Sequence, residues 1–283
     1  MNITEFIMSL EIGLIYGMVA IGIYLTFRVI DFPDLTCDGG FVLGAASSSI
    51  LIKVGVNPWL ALLVAFFAGN IAGLITGLLN TYLKVTNLLA GILVAFMLYS
   101  INLKVMGGLP NIALITQTTI FTGNNQLLIL CILCSLVYLL YSYLLITDFG
   151  LAMRSIGQNQ RLASNCGIRV KQMTVIGLML SNGVISLGGA IFSQHQGFAD
   201  VSQGIGTIII GLAAVMIGEK LLPFRTAWIT VLGCLFGSII YRLFICLALH
   251  NEKFGLETQD LNLITGLMVV GIMVLPHARR IKC

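Results

Sequence analysis

Apolar runs recur along the whole chain, separated by short polar breaks, and this rhythm predicts membrane spans rather than a soluble core. The runs lie near 6–29, 39–52, 58–83, 86–106, 126–147, 173–196, 205–218, 226–249 and 260–276. A helix rises 1.5 Å per residue, so roughly 20 residues cross a hydrocarbon core of about 30 Å. The runs at 39–52 and 205–218 are too short for that. Each follows a polar, glycine-bearing stretch, DFPDLTCDGG at 31–40 and GFADVSQGIG at 197–206. Helices broken in this way persist at membrane depth only where protein or a water-filled cavity satisfies the freed backbone groups.

One polar segment interrupts the rhythm at greater length, TDFGLAMRSIGQNQRLASNCGIRVKQM at 147–173. Arg154, Arg161, Arg169 and Lys171 stand there against Asp148 alone, which places the loop on the cytoplasmic side by the positive-inside rule. Gly150 to Asn165 reads as a helix, with Gly167 as its stop. Counting outward, span six exits and 197–204 lies outside. Span seven returns to a turn holding Lys220 and Arg225, span eight exits to HNEKFGLETQD, and span nine returns to the ARRIKC tail. In the first half, Lys53, Lys84 and Lys104 give little asymmetry. Nine spans put the N-terminus outside, and eight or ten also fit the apolar runs.

Composition agrees with the pattern. The 283 residues are 58% hydrophobic and 9% charged, with a mean hydropathy of +1.02, against about 25% charge in soluble domains. Glu5 and Glu11 stand where a cleavable signal peptide would carry basic residues, so the first run is expected to be a retained span. The net charge of +4 sits in loops and at Arg279, Arg280 and Lys282, where it orients a membrane protein and does not suggest nucleic acid. The seven cysteines are scattered, and Cys131 and Cys134 fall inside a helical apolar run, as packing residues rather than a metal or redox pair. Glycines at i, i+4 spacing (Gly69, Gly73 and Gly77, and the pairs 13/17, 40/44 and 233/237) predict close helix packing within a bundle or across a dimer.

The two broken stretches resemble each other. Phe32, Asp34, Leu35, Thr36 and Gly40 stand 166 positions before Phe198, Asp200, Val201, Ser202 and Gly206, and IGLIYG at 12–17 aligns with IGLMLS at 176–181. The copies cross the membrane in opposite directions, and an inverted repeat with matching interruptions is a transporter pattern with the pathway between the halves. On that reading Asp34, Thr36, Asp38 and Gly40 line the path towards the cytoplasm, and Asp200, Ser202, Gly204 and Gly206 line it towards the outside. Helix capping is the competing reading, since Asp and Ser make good N-caps.

Catalytic chemistry is not visible. No GxxxxGK[ST] occurs, so no P-loop cradles nucleotide phosphates. His195, His250 and His277 lack companions at ligand spacing, and the serines at 47–49 have no GxSxG context. No catalytic residue, metal site or cofactor is expected. Glu11 and Arg242 are the charges well inside long spans, and both are read as facing the bundle or an interface.

The loop GLAMRSIGQNQRLASNCGI, the later GFADVSQGIGTIIIGLAAVMIGE and the N-terminal GLIYGMVAIGIYLTFRVIDFPDLTCDGGFVLGA resemble the permease subunits of ATP-binding cassette importers of the branched-chain amino acid and ribose type, from about residue 10 to 275. The stretch QGFADVSQGIGTIIIGLA is most similar to a branch whose permeases work with a lipoprotein substrate-binding protein and an ATPase, some importing aromatic amino acids. The resemblance implies a multi-pass bacterial cytoplasmic-membrane protein, an all-α helical bundle forming a single permease domain (1–283) with repeat halves of about 6–147 and 173–276 and a cytoplasmic coupling loop at 148–172. It also implies a second permease chain, expected as a homodimer. The coupling helix would run from about Arg154 to Gly167, with Gly157, Asn159 and Ala163 allowing close approach to the ATPase and Arg154 and Arg161 meeting acidic groups. The family often has proline after the loop's asparagine, where this chain has Gln160, which puts the helix start in question. Tyr16, Tyr24, Phe32 and Phe198 suggest an apolar or aromatic solute, the competing reading being ordinary bundle residues with selection left to the binding protein. A gradient-driven secondary transporter with inverted repeats is the alternative.

Overall fold

A computed structural model describes residues 3–123, 125–222 and 226–250, with isolated positions at 266, 270 and 271. The expected span at 260–276, the HNEKFGLETQD loop, Arg225, His277 and the ARRIKC tail lie outside the described residues or among those isolated positions. The fold is helical: α1 (Ile3–Tyr24) continues into a π-helical turn (Leu25–Ile30), followed by α2 (Thr36–Lys53), α3 (Pro58–Thr81), α4 (Asn87–Val105) and α5 (Gln126–Ile146). Then come the loop helices α6 (Asp148–Gln158) and α7 (Gln160–Asn165), and α8 (Val170–Gln196), α9 (Thr207–Leu221) and α10 (Ala227–His250). Two three-residue strands, β1 (Asn111–Ala113) and β2 (Phe198–Asp200), pair antiparallel with Asn111 opposite Asp200.

Seven helical segments among the described residues are long and apolar enough to cross a bilayer. α2 is not among them, and its surroundings explain why it need not be. Most of its residues are buried against α3, α4 and α8, so protein rather than lipid is its solvent, and Ser47, Ser48 and Ser49 are tolerated there.

The β1–β2 ladder puts the loop after α4 on the same side as the chain after α8. At the opposite end, the last residues of the first span meet the basic loop, where Val29 lies against Gly157. With that loop cytoplasmic, α1 runs from outside to inside and α2, α3, α4 and α5 alternate. The first half, which charge alone leaves open, therefore agrees with the N-terminus-outside count.

α1 and α8 form the centre of the bundle, with 78% and 72% of their spanning windows buried, whereas α4 and α5 turn most of their surface to lipid. Small residues bring the central helices together. Gly69, Gly73 and Gly77 of α3 lie against Asn182, Leu178 and Val175 of α8, Gly44 meets the Ser186 carbonyl, and Gly13 and Gly17 meet Ile239 and Leu235 of α10. The glycine seams are thus spent inside one chain rather than offered to a dimer partner. Serine hydroxyls add bonds between helices at the same contacts. Ser181 donates to Gly22 O, Ser186 to Ala65 O and Ser238 to Gly13 O, each at 2.7 Å. Such bonds contribute about 0.6 kcal/mol each in membranes. On α5, Cys134 is buried and Cys131 faces outward, consistent with a helical CxxC.

Candidate functional site

The two interrupted segments share one local construction. The first span ends at Asp31 and α8 ends at Gly197, each left-handed with φ of 58° and 76°. A left-handed residue closes a helix by turning the chain away from its axis, at no steric cost for glycine and a modest one for aspartate. Three residues later an aspartate accepts the backbone N–H two positions on. Asp34 Oδ1 accepts from Thr36 N at 2.9 Å and Asp200 Oδ1 from Ser202 N at 2.7 Å. Asp200 is thus the N-cap of the short turn that follows it, whereas Asp34 stands one residue before Leu35, the N-cap of α2, and closes a local turn onto the helix's first residue. Beyond the turn the copies diverge, α2 starting at once at Thr36 while a 3₁₀ turn (Val201–Gly204) precedes α9.

Their surroundings are opposite. Asp34 and Thr36 have no exposed surface. The second oxygen of Asp34 accepts from Asn182 Nδ2 at 2.7 Å, and the Thr36 hydroxyl pairs with Thr76 at 2.8 Å. Phe32 is 2% exposed. Asp200 lies at the outer surface, where its carboxylate accepts from the Ser202 hydroxyl and from Asn111 Nδ2. Partial burial pushes this carboxyl up, but the Ser202 hydroxyl and N–H and the Asn111 amide outweigh it and hold it below the usual range. Ser202 is exposed. Of the eight residues expected on a path, then, Asp34, Thr36 and Gly40 are sealed in the bundle, Gly40 beside the Asn182 side chain.

The remaining residues come together. Asp38, in the first turn of α2, accepts from Gly206 N at 3.4 Å and Ile208 N at 2.9 Å. It thereby caps α9, whose own N-cap residue Gly206 has no side chain to offer. A side chain at Gly204 would press on the Asp38 carbonyl at 2.2 Å. Both segments open into one groove of about 340 Å³, lined by Asp38, Val42, Phe96, Tyr99, Gly204 and Ile205 among others. Phe96 and Ile205 are 74% and 72% exposed, so the groove lacks an outer wall. Next to it, the side-chain amide of Gln203 and the Thr207 hydroxyl are buried with no partner among the described residues, which is costly unless water or another polar group meets them.

The aromatics singled out in the sequence mostly sit elsewhere. Tyr16 stacks on Phe41 with centroids 5.9 Å apart, Phe192 closes the cluster, and Phe32 is buried, so these are packing residues. The groove's rings, Phe96 and Tyr99, come from α4, where an outward apolar residue is indistinguishable from a lipid-facing one in sequence.

A buried pair was also invisible to spacing. His195 Nε2 lies 2.9 Å from Glu11 Oε2, with side chains 4% and 9% exposed, and the ring of Phe121 meets the imidazole edge-on. His195 therefore has a carboxylate companion, 184 positions away, and Glu11 faces the bundle rather than an interface. Arg242 is half-buried beside Gly13 of α1.

The basic loop differs from its expectation in three respects. The helix read over 150–165 is two helices, broken at Asn159, whose backbone is extended and whose side chain caps α7 by accepting from Arg161 N and Leu162 N, both at 3.1 Å. Gln160 is thus the first helical residue, a position that proline also suits. Second, Gly157 and Ala163 face inward. A Cβ on Gly157 would lie 2.2 Å from Val29 O, and Ala163 is fully buried, so their smallness serves this chain's own packing. Third, Arg154 donates to Leu145 O at 2.6 Å, which ties it to the end of α5. The outward face carries Leu151, Asn159, Arg161 and Leu162, all exposed, and Gly167 follows with φ of +84°.

A family profile described as "Branched-chain amino acid transport system / permease component" matches residues 6–275. A tyrosine transport system permease protein from Clostridioides difficile is 36% identical over 265 residues, covering 92% of this chain and 88% of the relative. A nucleoside ABC transporter permease protein from Lactococcus lactis is 28% identical, covering 75% and 71%. A probable branched-chain amino acid transport permease protein from Methanocaldococcus jannaschii is 27% identical, covering 75% and 74%. No solved structure matches.

Proposed function

Because the chain belongs to the permease-component family of branched-chain amino acid transport systems, and so is the membrane-spanning permease of an ATP-binding cassette importer, we propose that it carries an amino acid through the groove where its two broken segments meet. The observation that supports this path is the junction itself: Asp38 and Gly204, one from each segment, line one groove with the rings of Phe96 and Tyr99. A small apolar or aromatic side chain suits that lining, in keeping with the tyrosine system named for one relative. The two segments belong to inverted halves, 6–147 and 173–276, and a second copy of the chain supplies the missing outer wall over Phe96 and Ile205.

The family implies an ATPase subunit and a substrate-binding protein. A separate cytoplasmic subunit hydrolyses ATP, since the chain has no P-loop of its own. That subunit docks on the outward face of α6–α7, through Leu151, Arg161 and Leu162, while Gly157 passes its movement to Val29. A lipoprotein delivers the solute at the outer mouth, near Ser202. The gradient-driven reading would need a relay of ion pairs within the spans. Among the described residues Glu11 and His195 are one buried pair under Phe121, and family membership sets that reading aside.

Cysteines at Tyr99 and Ile205 test the path. In the transporter reconstituted with its ATPase and binding protein, a bulky water-soluble thiol reagent should label both and stop uptake, with solute slowing the reaction. Unchanged uptake after complete labelling would refute the groove as the path.

A further inference from the structure

On the cytoplasmic side, where α3 ends and α8 begins, three cations border one groove of about 590 Å³. Arg161, Arg169 and Lys171 line it with Tyr82 and Ser164, and no carboxylate is among its lining residues. The ion pairs among the described residues, Arg28–Glu219 and His195–Glu11, use none of the three. Lys171 Nζ instead lies 5.8 Å from the centre of the Tyr82 ring, which holds the ammonium at the mouth of the groove.

The groove's position relative to lipid identifies its ligand. Tyr82 caps α3 and is 58% exposed, a headgroup-level placement for an amphipathic ring. Leu78, one turn earlier on α3, and Ile176, early in α8, are exposed apolar side chains. A cluster of unpaired cations thus sits directly above a lipid-facing wall on the side whose leaflet is anionic. The outward face of α6–α7, with Leu151 and Leu162, is a separate apolar surface further along the loop.

We infer that this groove binds the phosphate headgroup of an anionic phospholipid from the cytoplasmic leaflet. Arg169 and Lys171 neutralise the phosphodiester, Ser164 offers a hydroxyl, and the acyl chains lie along Leu78 and Ile176. Each cation near such a surface contributes about fivefold in affinity, so two of them set a preference of roughly twenty-five-fold over a zwitterionic lipid.

Native mass spectrometry of the full-length chain, purified in mild detergent and titrated with equal amounts of phosphatidylglycerol and phosphatidylcholine, tests this. The unaltered protein should keep phosphatidylglycerol selectively, and R169Q/K171Q should lose roughly twenty-five-fold of that selectivity. The charge-preserving R169K/K171R should retain it, and K53Q, on the other side of the membrane, should leave it unchanged. Selectivity undiminished in R169Q/K171Q would overturn the proposal. So would displacement of the lipid by millimolar inorganic phosphate, which would mark a free-anion site. Loss of the co-purifying ATPase from R169Q/K171Q with lipid selectivity intact would assign the cations to that protein instead.

Discussion

The segments 31–40 and 197–206 are built by one local rule and placed in two different solvents. In both, a left-handed residue ends a long helix, a phenylalanine follows, and an aspartate caps the turn two residues ahead. In the first copy the turn is enclosed by α3 and α8, and protein groups meet its side chains, Asn182 that of Asp34 and Thr76 that of Thr36. In the second the turn lies at the outer surface, where water can replace any lost bond and a short ladder to β1 holds the chain. Turn chemistry is therefore not what distinguishes a fixed element from a movable one here. The environment does that, because an unpaired polar group costs several times more inside the bundle than at its edge.

The sharpest test removes the same carboxylate from each copy. Asp34→Ala strands the Thr36 N–H in the bundle interior and leaves Asn182 Nδ2 only its bond to Leu178 O, and should cost about 3 kcal/mol, read as a large drop in the thermal midpoint of the purified chain. Equal losses for Asp34→Ala and Asp200→Ala would break the contrast. Next in size is Gly204→Ala, whose methyl group would push on the Asp38 carbonyl and Val42. Overpacking of this kind costs about 1–3 kcal/mol, and uptake should fall further than stability because the junction of the two segments is forced apart. A fully active Gly204→Ala transporter would show that the contact is incidental.

A smaller effect is expected from Asp38→Asn, which keeps the shape of the α9 cap and removes its charge at a helix N-terminus, worth about 1 kcal/mol. The thermal midpoint should fall modestly, with the structure around Gly206 and Ile208 loosening first in hydrogen exchange. The smallest effect belongs to Asp200. Its carboxyl is held below the usual range, so its contribution is present above the ordinary carboxylate pKa and is lost only as pH falls through the lowered folded value. Exchange at the Ser202 amide should be unaffected by this group between about pH 5 and 9 and should rise only in stronger acid. Asp200→Asn should cost about 0.5 kcal/mol, the low end for a cap. A transition of the outer turn near neutral pH would contradict this.

Much of the fold is legible in the chain because the bilayer imposes a length on apolar runs, and helices such as Asn87–Val105 and Gln126–Ile146 fall within a residue of the runs that predict them. The broken segments were also readable, since their polar stretches have no place in lipid. Three kinds of feature were not. β1 and β2 are three residues long, too short for any alternation to register. The Glu11–His195 pair joins positions 184 apart, and no spacing rule reaches that far. Helix faces are the third: small residues such as Gly157 and Ala163 suggest room for a partner, yet their near neighbours are Val29 and the core of the same chain. A small residue records that something comes close, and only the packed structure says what.

The contact between Asp38 and Gly204 carries a consequence for how two such halves can diverge. Positions 38 and 204 are 166 apart, the offset of the matched pairs, and under the inverted repeat proposed above each is the counterpart of the residue it touches. Where counterparts meet face to face, neither can be copied onto the other. Two aspartates would place two carboxylates against one helix end and thrust a side chain into the α2 backbone. Two glycines would leave the N–H groups of Gly206 and Ile208 without their acceptor. Under that repeat, a chain with identical residues at both positions could not close this junction, so asymmetry at this point is a condition of the fold.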